Sequence, residues 1–467
     1  MEDEYKVLAS HHNEAMKDFE LEGTWWLPGK EGEPLPGTLS FTQDGSQLKV
    51  YGPLHPLEEA TSNGLQPMTT RTVTERVVYG TTRQDQRVTL FEVHGHYLPG
   101  MPSSEETYRP GLILVGDHAA SETFTEVQVE IEHLHDWAAV PDLVKFRDRQ
   151  FCFNVTQKEA LSAQSGDDVI KVLTSLLGNS NGITVNFKQH SMISVATPSG
   201  GEWREIFEEK VRPLHDLMIL SLGRPLAMDA LYLRPDAPGE EKGVLCDAYL
   251  DVLRPVSRPG SIFSYSAPTL YTAADHDLGE VVSNWYSSYA SIRPILTLLL
   301  NPYYAPFIYG EHRFASIFQA VEALHKEFFE GRDMEKAQHS ARVEGVIGRL
   351  SEEELPAETI DWAKRVLTGR NDKPLWRQAQ EVVESTGPLG EHILEAVPKI
   401  SRMAASARTG VSHGGANSMN SSDRYWLGEV LLWVLRAKIL TEIGIPGMYE
   451  KTLTRDRYLH AIDQIRS

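Results

Sequence analysis

The chain has 467 residues, of which 41% are hydrophobic, and it carries a formal net charge of −20. This length predicts two to four domains, and this hydrophobic content excludes extensive disorder. The acidic balance excludes indiscriminate binding of nucleic acids, because most of the surface would repel phosphates. Two cysteines, Cys152 and Cys246, cannot build a disulfide framework. With no apolar N-terminal segment and no apolar run of membrane-spanning length, the sequence predicts a cytoplasmic protein without membrane association.

The negative charge is concentrated in the first two thirds of the chain. Residues 310–467 contain 21 basic and 23 acidic side chains, so this tail is near −2, whereas the remainder contains 24 and 42 and is near −18. The contrast predicts a domain boundary near residue 310. If RNA binds, we expect it to bind the less acidic tail.

Residues 1–155 are predicted to form a β-rich, sandwich-like domain. Segments such as FELEGTWWLPG and LPGTLSFTQDGSQLKVYG alternate apolar and polar residues between Pro-Gly and Asp-Gly turns. Trp25 and Leu27 are expected to share one face of the sheet, as are Leu39 and Phe41. Further strands are predicted at Thr72–Val78, Val88–His94, Gly111–Val115 and Thr125–Ile131.

Residues 156–307 are predicted to be a mixed α/β continuation of this region. Residues 167–178 suggest a short helix, and Gly182–Ala196 and Gly243–Leu253 suggest strands. The segment EWREIFEEKVRPLHDLMILSLGRPL has the apolar spacing of an amphipathic helix that Pro213 would kink or break.

Residues 308–467 are predicted to be an all-α bundle, because apolar residues recur at helical spacing throughout. Pro398 is expected to kink a helix spanning Ile393–His413 or to mark its true start. Asp423 is the predicted cap of the last long helix. The other predicted helices are one beginning at about Arg313, then Glu335–Leu350, Pro356–Thr368, Leu375–Ser385, Arg424–Ile443 and Glu450–Ile465.

The chemically most informative stretch is Arg408-Thr-Gly-Val-Ser-His413, which ends a predicted helix before Gly414. Histidine transfers protons near neutral pH, and arginine holds phosphate oxygens through a forked contact. Metal-free RNA cleavage needs both functions. A step of five residues turns a straight helix by roughly 140°. Gly410 is therefore expected to let the helix end bend and bring the two side chains together; capping of the helix end is the alternative role for the pair.

The Arg408/His413 spacing inside an all-helical tail resembles the HEPN ribonucleases. Together with GTWWLPG, PLPGTLSF and LKVYGPL in the N-terminal region, it is similar to the ApeA family of bacterial abortive-infection proteins. The resemblance implies a HEPN bundle, catalysis by Arg408 and His413 without metal or other cofactor, and a homodimer with both motifs in one cleft. Many HEPN motifs carry Asn, Asp or His directly after the arginine, where this chain has Thr409.

Other residues are candidates for supporting roles. Thr409 and Glu322 are candidates for supporting the catalytic pair, although a surface glutamate is the favoured interpretation of Glu322. A basic segment between two predicted helices is a candidate for contacting RNA phosphates, although a solvated loop is its favoured interpretation. Its residues are Arg365, Arg370, Asn371, Lys373 and Arg377.

Metal and nucleotide sites have weak or no support in the sequence. The pairs His94/His96 and His133/His135 have the spacing of zinc ligands on one strand face, but ordinary histidines are the favoured interpretation. Phosphate-binding glycine motifs and CxxC pairs are absent from the sequence. No metal and no cofactor are therefore predicted.

The function implied by the resemblance is a metal-independent RNA endonuclease effector of phage defence. Its expected substrate is host RNA, with tRNA as a candidate, and its expected activator is a phage protein or another phage signal that the N-terminal region senses. The alternative is a non-catalytic ligand- or protein-binding module with a helical dimerisation tail. The very apolar segment Tyr425–Leu440 is expected to lie either in the centre of the bundle or between subunits, and together with the small residues Ala404–Ala407 it supports a dimer built through the tail.

Overall fold

A computed structural model gives the structure of the chain. It describes residues 18–42, 44–54, 71–97, 105–119, 121–147, 150–153, 158–180, 185–237, 243–250, 267–305, 308–353, 355–413 and 419–466. The described residues fall into two compact units. The first is drawn from residues 1–218, 225–260 and 272–283, and the second from 219–224, 261–271 and 284–467.

In its described residues, the first unit is built on one antiparallel sheet of thirteen strands, with a separate hairpin of two more. In chain order the strands are β1 (Phe19–Trp26), β2 (Leu35–Thr42), β3 (Gly45–Val50), β4 (Arg71–Thr82), β5 (Arg87–Tyr97), β6 (Glu106–Arg109), β7 (Leu112–Val115), β8 (Thr123–Ile131), β9 (Val144–Arg147), β10 (Gln150–Phe153), β11 (Lys158–Ser165), β12 (Asp168–Ser180), β13 (Val185–Glu202), β14 (Met228–Pro235) and β15 (Cys246–Tyr249). The hairpin pairs β9 with β10.

Six of these strands close into a barrel. They follow the order β5-β4-β1-β2-β3-β6, and β6 also pairs with β5. Trp25, Leu39 and Phe41 are fully buried inside the associated core cluster, as their predicted alternation requires. Gly80 leaves room for the indole, since a Cβ there would lie 2.2 Å from Trp25 Cε3. The β-rich prediction for this region is confirmed, and closure of the sheet is the feature that the sequence did not reveal.

One predicted helix in the middle region is wrong. Residues 168–180 form β12, in which Ile170, Val172, Thr174 and Leu176 are buried and alternate with more exposed neighbours. Three of these four residues are β-branched, and they pack well on a pleated surface. The following strand, β13, and the amphipathic helix after it confirm the other predictions for this stretch.

The first helices of the chain lie in the first unit, and most of the others lie in the second. The amphipathic helix passes through a π-helical segment, Phe207–Val211, just before Pro213. The α-helices are α1 (Leu134–Trp137), α2 (Trp203–Ile206), α3 (Arg212–Leu222), α4 (Leu278–Tyr304), α5 (Gly310–Phe328), α6 (Lys336–Glu352), α7 (Ala357–Thr368), α8 (Leu375–Glu384), α9 (Pro388–Ala396), α10 (Ile400–His413), α11 (Ser421–Glu442), α12 (Met448–Leu453) and α13 (Asp456–Arg466).

The second unit is the predicted all-α bundle, with α11 at its centre. From Leu427 to Leu440 nearly every side chain of α11 is buried, and it packs against α5 and α13. This segment is therefore core in the single chain. The cap of α11 is Asn420, whose side chain accepts a hydrogen bond of 2.8 Å from the Asp423 backbone N–H. The capping role predicted for Asp423 is wrong, because the helix begins at Ser421, three residues before the predicted start at Arg424.

The second unit also includes chain segments that precede residue 308. Asn284 Nδ2 donates to the Ile443 carbonyl at 3.2 Å, and Ser316 Oγ donates to the Leu298 carbonyl at 2.7 Å. These bonds fix the second part of α4 to the bundle. The boundaries 1–155, 156–307 and 308–467 stay a prediction. No helix in the described part of the chain is long and apolar enough to cross a bilayer.

Candidate functional site

The arginine of the predicted motif lies on a helix that is tightly packed on one side. Ile400, Ala404 and Ala407 of α10 are fully buried, and α10 packs against α5 and α8. The small side chains allow the helices to approach closely. Pro398 lies between two helices, because α9 stops at Ala396 and α10 begins at Ile400. The prediction that Pro398 marks the true start of the motif helix is confirmed.

Arg408 is joined to a carboxylate on the neighbouring helix. Its Nε atom donates a hydrogen bond of 3.0 Å to Oε1 of Glu322 on α5. The side chains of Arg408 and Glu322 are 23% and 27% exposed, so the pair is shielded from solvent but still accessible. A partly buried charge-assisted bond fixes the direction of a guanidinium better than a surface pair does. The fold brings together these two residues, which lie 86 positions apart in sequence. The supporting role of Glu322 stays a prediction.

His413 is the last residue of α10, and its side chain lies outside the described part of the structure. The helix is continuous from Ile400 through Gly410 to His413. Gly410 therefore does not interrupt the helix. Positions 408 and 413 consequently differ by roughly 140° around one helix.

Thr409, the residue that replaces the usual polar group after the arginine, is exposed. Its hydroxyl donates a hydrogen bond of 2.9 Å to the Ala405 carbonyl one turn earlier. Such back-bonding satisfies the hydroxyl within its own helix. Among the hydrogen bonds described, the Thr409 side chain has this contact within its own helix and none to another helix.

Two residues among the predicted RNA contacts, Lys373 and Arg377, lie in a charged cluster centred on Glu381 of α8. The Glu381 carboxylate accepts hydrogen bonds from Lys373 Nζ at 2.8 Å, Arg377 Nε at 3.2 Å and His325 Nε2 at 2.7 Å. Burial acts to raise the pKa of Glu381, but the bonds from Lys373 and His325 outweigh it and hold the pKa below its usual value. Lys373 and Arg377 thus have a structural partner.

His325 is the member of this cluster that sequence reasoning missed. It is 1% exposed on α5, three residues after Glu322, and its ring stacks on Phe329 with centroids 5.1 Å apart. The bond to Glu381 ties α5 to α8. Its only signal in the sequence is a histidine at a core position of an amphipathic helix, and its partner lies 56 residues away.

The remaining predicted RNA contacts differ in their surroundings. Asn371 Nδ2 donates to the Met334 carbonyl at 3.0 Å, which holds a loop rather than facing solvent. Arg365 and Arg370 are exposed. Arg365 lines an open groove on α7 that also contains the acidic residues Glu358 and Asp361. The predicted set therefore does not form one basic surface.

A fully buried arginine, Arg436, was also missed by sequence reasoning. Arg436 of α11 is 1% exposed and donates to the carbonyls of Leu220 at 2.8 Å, Ser221 at 3.1 Å and Pro268 at 2.8 Å. Burial lowers its pKa to about 10, so it remains charged near neutral pH. Gly223 leaves space for it, since a Cβ there would lie 2.4 Å from the guanidinium. Arg436 thereby satisfies carbonyls at the C-terminal end of α3.

The His-x-His candidates have separate partners. His94 Nδ1 lies 3.0 Å from Thr74 Oγ1, and His135 Nε2 lies 3.4 Å from Asp142 Oδ1. The His96 side chain is outside the described residues. Within the described residues, no three histidine, cysteine, aspartate or glutamate side chains are grouped as metal ligands.

A helical bundle that carries an arginine and a histidine on one helix, in a chain that begins with a β-rich region, defines a HEPN-type protein with an added N-terminal domain. Two family models match the chain: ApeA N-terminal domain 1 over residues 20–285 and Apea-like HEPN over residues 315–447. The chain belongs to the ApeA family. No curated protein and no solved structure matches it significantly. HEPN domains are generally ribonucleases, and the two domains together point to a nuclease effector in phage defence.

Proposed function

We propose that this protein is a metal-independent RNA endonuclease that acts as an abortive-infection effector against phage. The observation that carries the proposal is the Arg408–Glu322 pair in the HEPN bundle, on the helix that also carries His413. The partly buried carboxylate fixes the direction of the guanidinium, which suits an arginine that holds phosphate oxygens. Neither Arg408 nor Glu322 requires a cofactor in the proposed chemistry.

The proposed reaction is transesterification of the RNA backbone. The ribose 2′-oxygen forms a bond to the adjacent phosphorus, and the bond from phosphorus to the 5′-oxygen breaks. One proton leaves the 2′-hydroxyl and one is delivered to the 5′-oxygen. His413 serves these proton transfers, because its ordinary pKa lies near neutrality. Arg408 stabilises the negative charge on the non-bridging oxygens.

We propose that the active unit is a homodimer whose cleft uses the motifs of both copies. Positions 408 and 413 lie on different sides of one continuous helix, which disfavours a compact site made by one copy alone. Two facing α10 helices can present Arg408 from one copy beside His413 from the other. The resemblance to dimeric HEPN nucleases supports the same arrangement.

The N-terminal region is proposed to sense a phage protein or another phage signal. Its charge near −18, compared with near −2 for the helical tail, would disfavour RNA binding until an activator changes the surface potential. The substrate is proposed to be host RNA, with tRNA as the first candidate, because loss of tRNA stops translation and phage growth together.

Purified protein tests the proposal directly. Wild type, Arg408→Ala and the exposed-site control Lys326→Ala are each purified from phage-infected cells and incubated with RNA from uninfected cells, and the 2′,3′-cyclic phosphate ends are measured. We expect cleavage by wild type and Lys326→Ala and at least about a hundredfold less by Arg408→Ala. Equal cleavage by a well-folded Arg408→Ala protein would refute the nuclease mechanism and favour the non-catalytic binding module.

A further inference from the structure

Arg402 of α10 stacks on an aromatic ring of a neighbouring helix. Its guanidinium lies over the ring of Trp376 on α8, 4.8 Å from the ring centroid. Arg402 is exposed and Trp376 is half-buried, so solvent reaches both side chains. Arg377 and Arg408 are each bonded to a glutamate, whereas Arg402 has no carboxylate partner in the part of the chain that the structure describes. We call Arg402 and Trp376 the stacked pair.

The stacked pair lies at one end of an outward-facing stripe on the helix that carries the Arg408/His413 motif. At 100° per residue, positions 402, 406, 409 and 413 fall within about 60° of one another around α10. Arg402, Ser406 and Thr409 are exposed. Positions 402 and 413 are about 16 Å apart along the helix axis. A polynucleotide that reaches position 413 can therefore follow this stripe, which we call the α10 face, to the stacked pair.

The charge along the α10 face suits a phosphate backbone. Residues 396–422 contain three basic and no acidic side chains, whereas the helical tail as a whole contains 21 basic and 23 acidic ones. On the helices packed against α10, Glu322 is bonded to Arg408. Glu381 is bonded to Lys373. A local excess of positive charge attracts phosphates even in an acidic chain.

We propose that the stacked pair is a binding subsite for an unpaired base of the RNA substrate and its phosphate, remote from the bond that is cut. Unpaired bases stack on aromatic rings and on guanidinium planes, which a paired base inside a duplex cannot reach. The guanidinium also has N–H groups that can hold a phosphate.

RNA fits the α10 face better than a second copy of the chain does. Arg402, Ser406 and Thr409 are polar, whereas the centre of a subunit interface is mainly apolar. In the proposed dimer the α10 face then lines the cleft, and RNA covers it. This inference rests on the proposed function and deepens it, because it names residues that select unpaired RNA.

The test measures RNA binding by protein that does not cut, so failure of the subsite can be distinguished from failure of the nuclease proposal. The parent is the full-length His413→Ala chain, purified from phage-infected cells. Fluorescence anisotropy records its binding of a labelled single-stranded oligoribonucleotide and of a duplex of the same length. The test variants are Trp376→Ala, Trp376→Phe and Arg402→Gln. The matched controls are Trp362→Ala, at a tryptophan that is 58% exposed, and Arg349→Gln, at an exposed arginine.

We expect Trp376→Ala to weaken binding of the single strand at least about tenfold, because stacking on an aromatic ring contributes about that much per base. Trp376→Phe keeps a ring and should retain most of the affinity. Arg402→Gln should reduce the slope of log affinity against log salt by about one. Both controls should bind like the parent, and Trp376→Ala should not change binding of the duplex.

A parent that binds the single strand as tightly as Trp376→Ala and Arg402→Gln do would overturn the subsite and leave the nuclease proposal standing. A parent that binds no RNA would overturn both. If only Trp376→Ala loses affinity, and its unfolding temperature falls with it, the stacked pair is a contact between helices and no subsite. Variants whose sedimentation mass falls together with their affinity would assign the α10 face to a second copy of the chain.

Discussion

Replacing Glu322 tests whether Arg408 must be held in one orientation, because the arginine itself stays in the chain. In Glu322→Ala the guanidinium loses the carboxylate that accepts from Nε at 3.0 Å. In Glu322→Gln an amide oxygen still accepts that bond, but the negative charge is gone. If Glu322 orients Arg408, we expect the glutamine variant to retain more activity than the alanine variant.

The magnitude follows from the burial of the pair. A hydrogen bond to a charged group contributes about 1.5–3 kcal/mol when it is well shielded. Both side chains here are roughly a quarter exposed, so we take about 1–1.5 kcal/mol as the loss of transition-state stabilisation. That loss lowers the rate about tenfold in Glu322→Ala. In Glu322→Gln the charged guanidinium still donates to an amide oxygen, so this variant should lose less activity than Glu322→Ala.

The assay compares single-turnover cleavage rates of purified variants at saturating enzyme, with thermal unfolding to verify folding. Glu327→Ala is the matched control, because Glu327 is an exposed carboxylate on the same helix. It should cleave like wild type. A folded Glu322→Ala protein with the wild-type rate would refute the positioning role, as would a glutamine variant less active than the alanine variant.

Three further predictions concern stability and the metal-free reaction. Arg436→Met should lower the free energy of unfolding by at least about 2 kcal/mol in urea titrations, because three carbonyls lose their donor; an unchanged midpoint would contradict its structural role. Burial lowers the pKa of His215 to about 4, and its Nε2 donates to the Leu226 carbonyl at 3.0 Å. The pKa of His215 is lower in the folded chain than in the unfolded chain, so neutral His215 stabilises the fold above about pH 6.5. About 3 kcal/mol of the free energy of unfolding is lost between pH 6.5 and 4. Urea titrations across that range should show a smaller loss for His215→Gln than for wild type. RNA cleavage should persist in EDTA, and activity that EDTA abolishes and magnesium restores would overturn the metal-free mechanism.

Local patterns in the sequence predicted most elements of the fold. Alternating residues between tight turns predicted the strands of the barrel, and apolar residues at helical spacing predicted the bundle. The failure at 167–178 is also local, since VIKVLTSLL has an apolar content compatible with either structure. Pairing with β11 and β13 decides it, and strand pairing is a long-range property. Closure of the barrel by β5 and β6 is unpredictable for the same reason.

The candidate site was predictable only in part. Arg408 was identified because its residue type and spacing relate directly to phosphate chemistry. The roles of Lys373 and Arg377 were not, because both appear as exposed basic residues until α8 places Glu381 beside them. His325 reaches the same carboxylate from a helix 56 residues earlier in the chain. The fold alone brings His325 to Glu381, whereas Arg377 and Glu381 have the i,i+4 spacing of an ion pair on one helix.

Sequencing of RNA ends in phage-challenged cells tests the central claim most directly. Cells expressing wild type or His413→Ala at equal protein levels are sampled before and after infection, and new RNA ends are mapped. The Arg408/His413 mechanism predicts discrete new ends after infection in wild-type cells, with protection of the culture. Both should be absent in His413→Ala cells. The same new ends and the same protection in His413→Ala cells would contradict it.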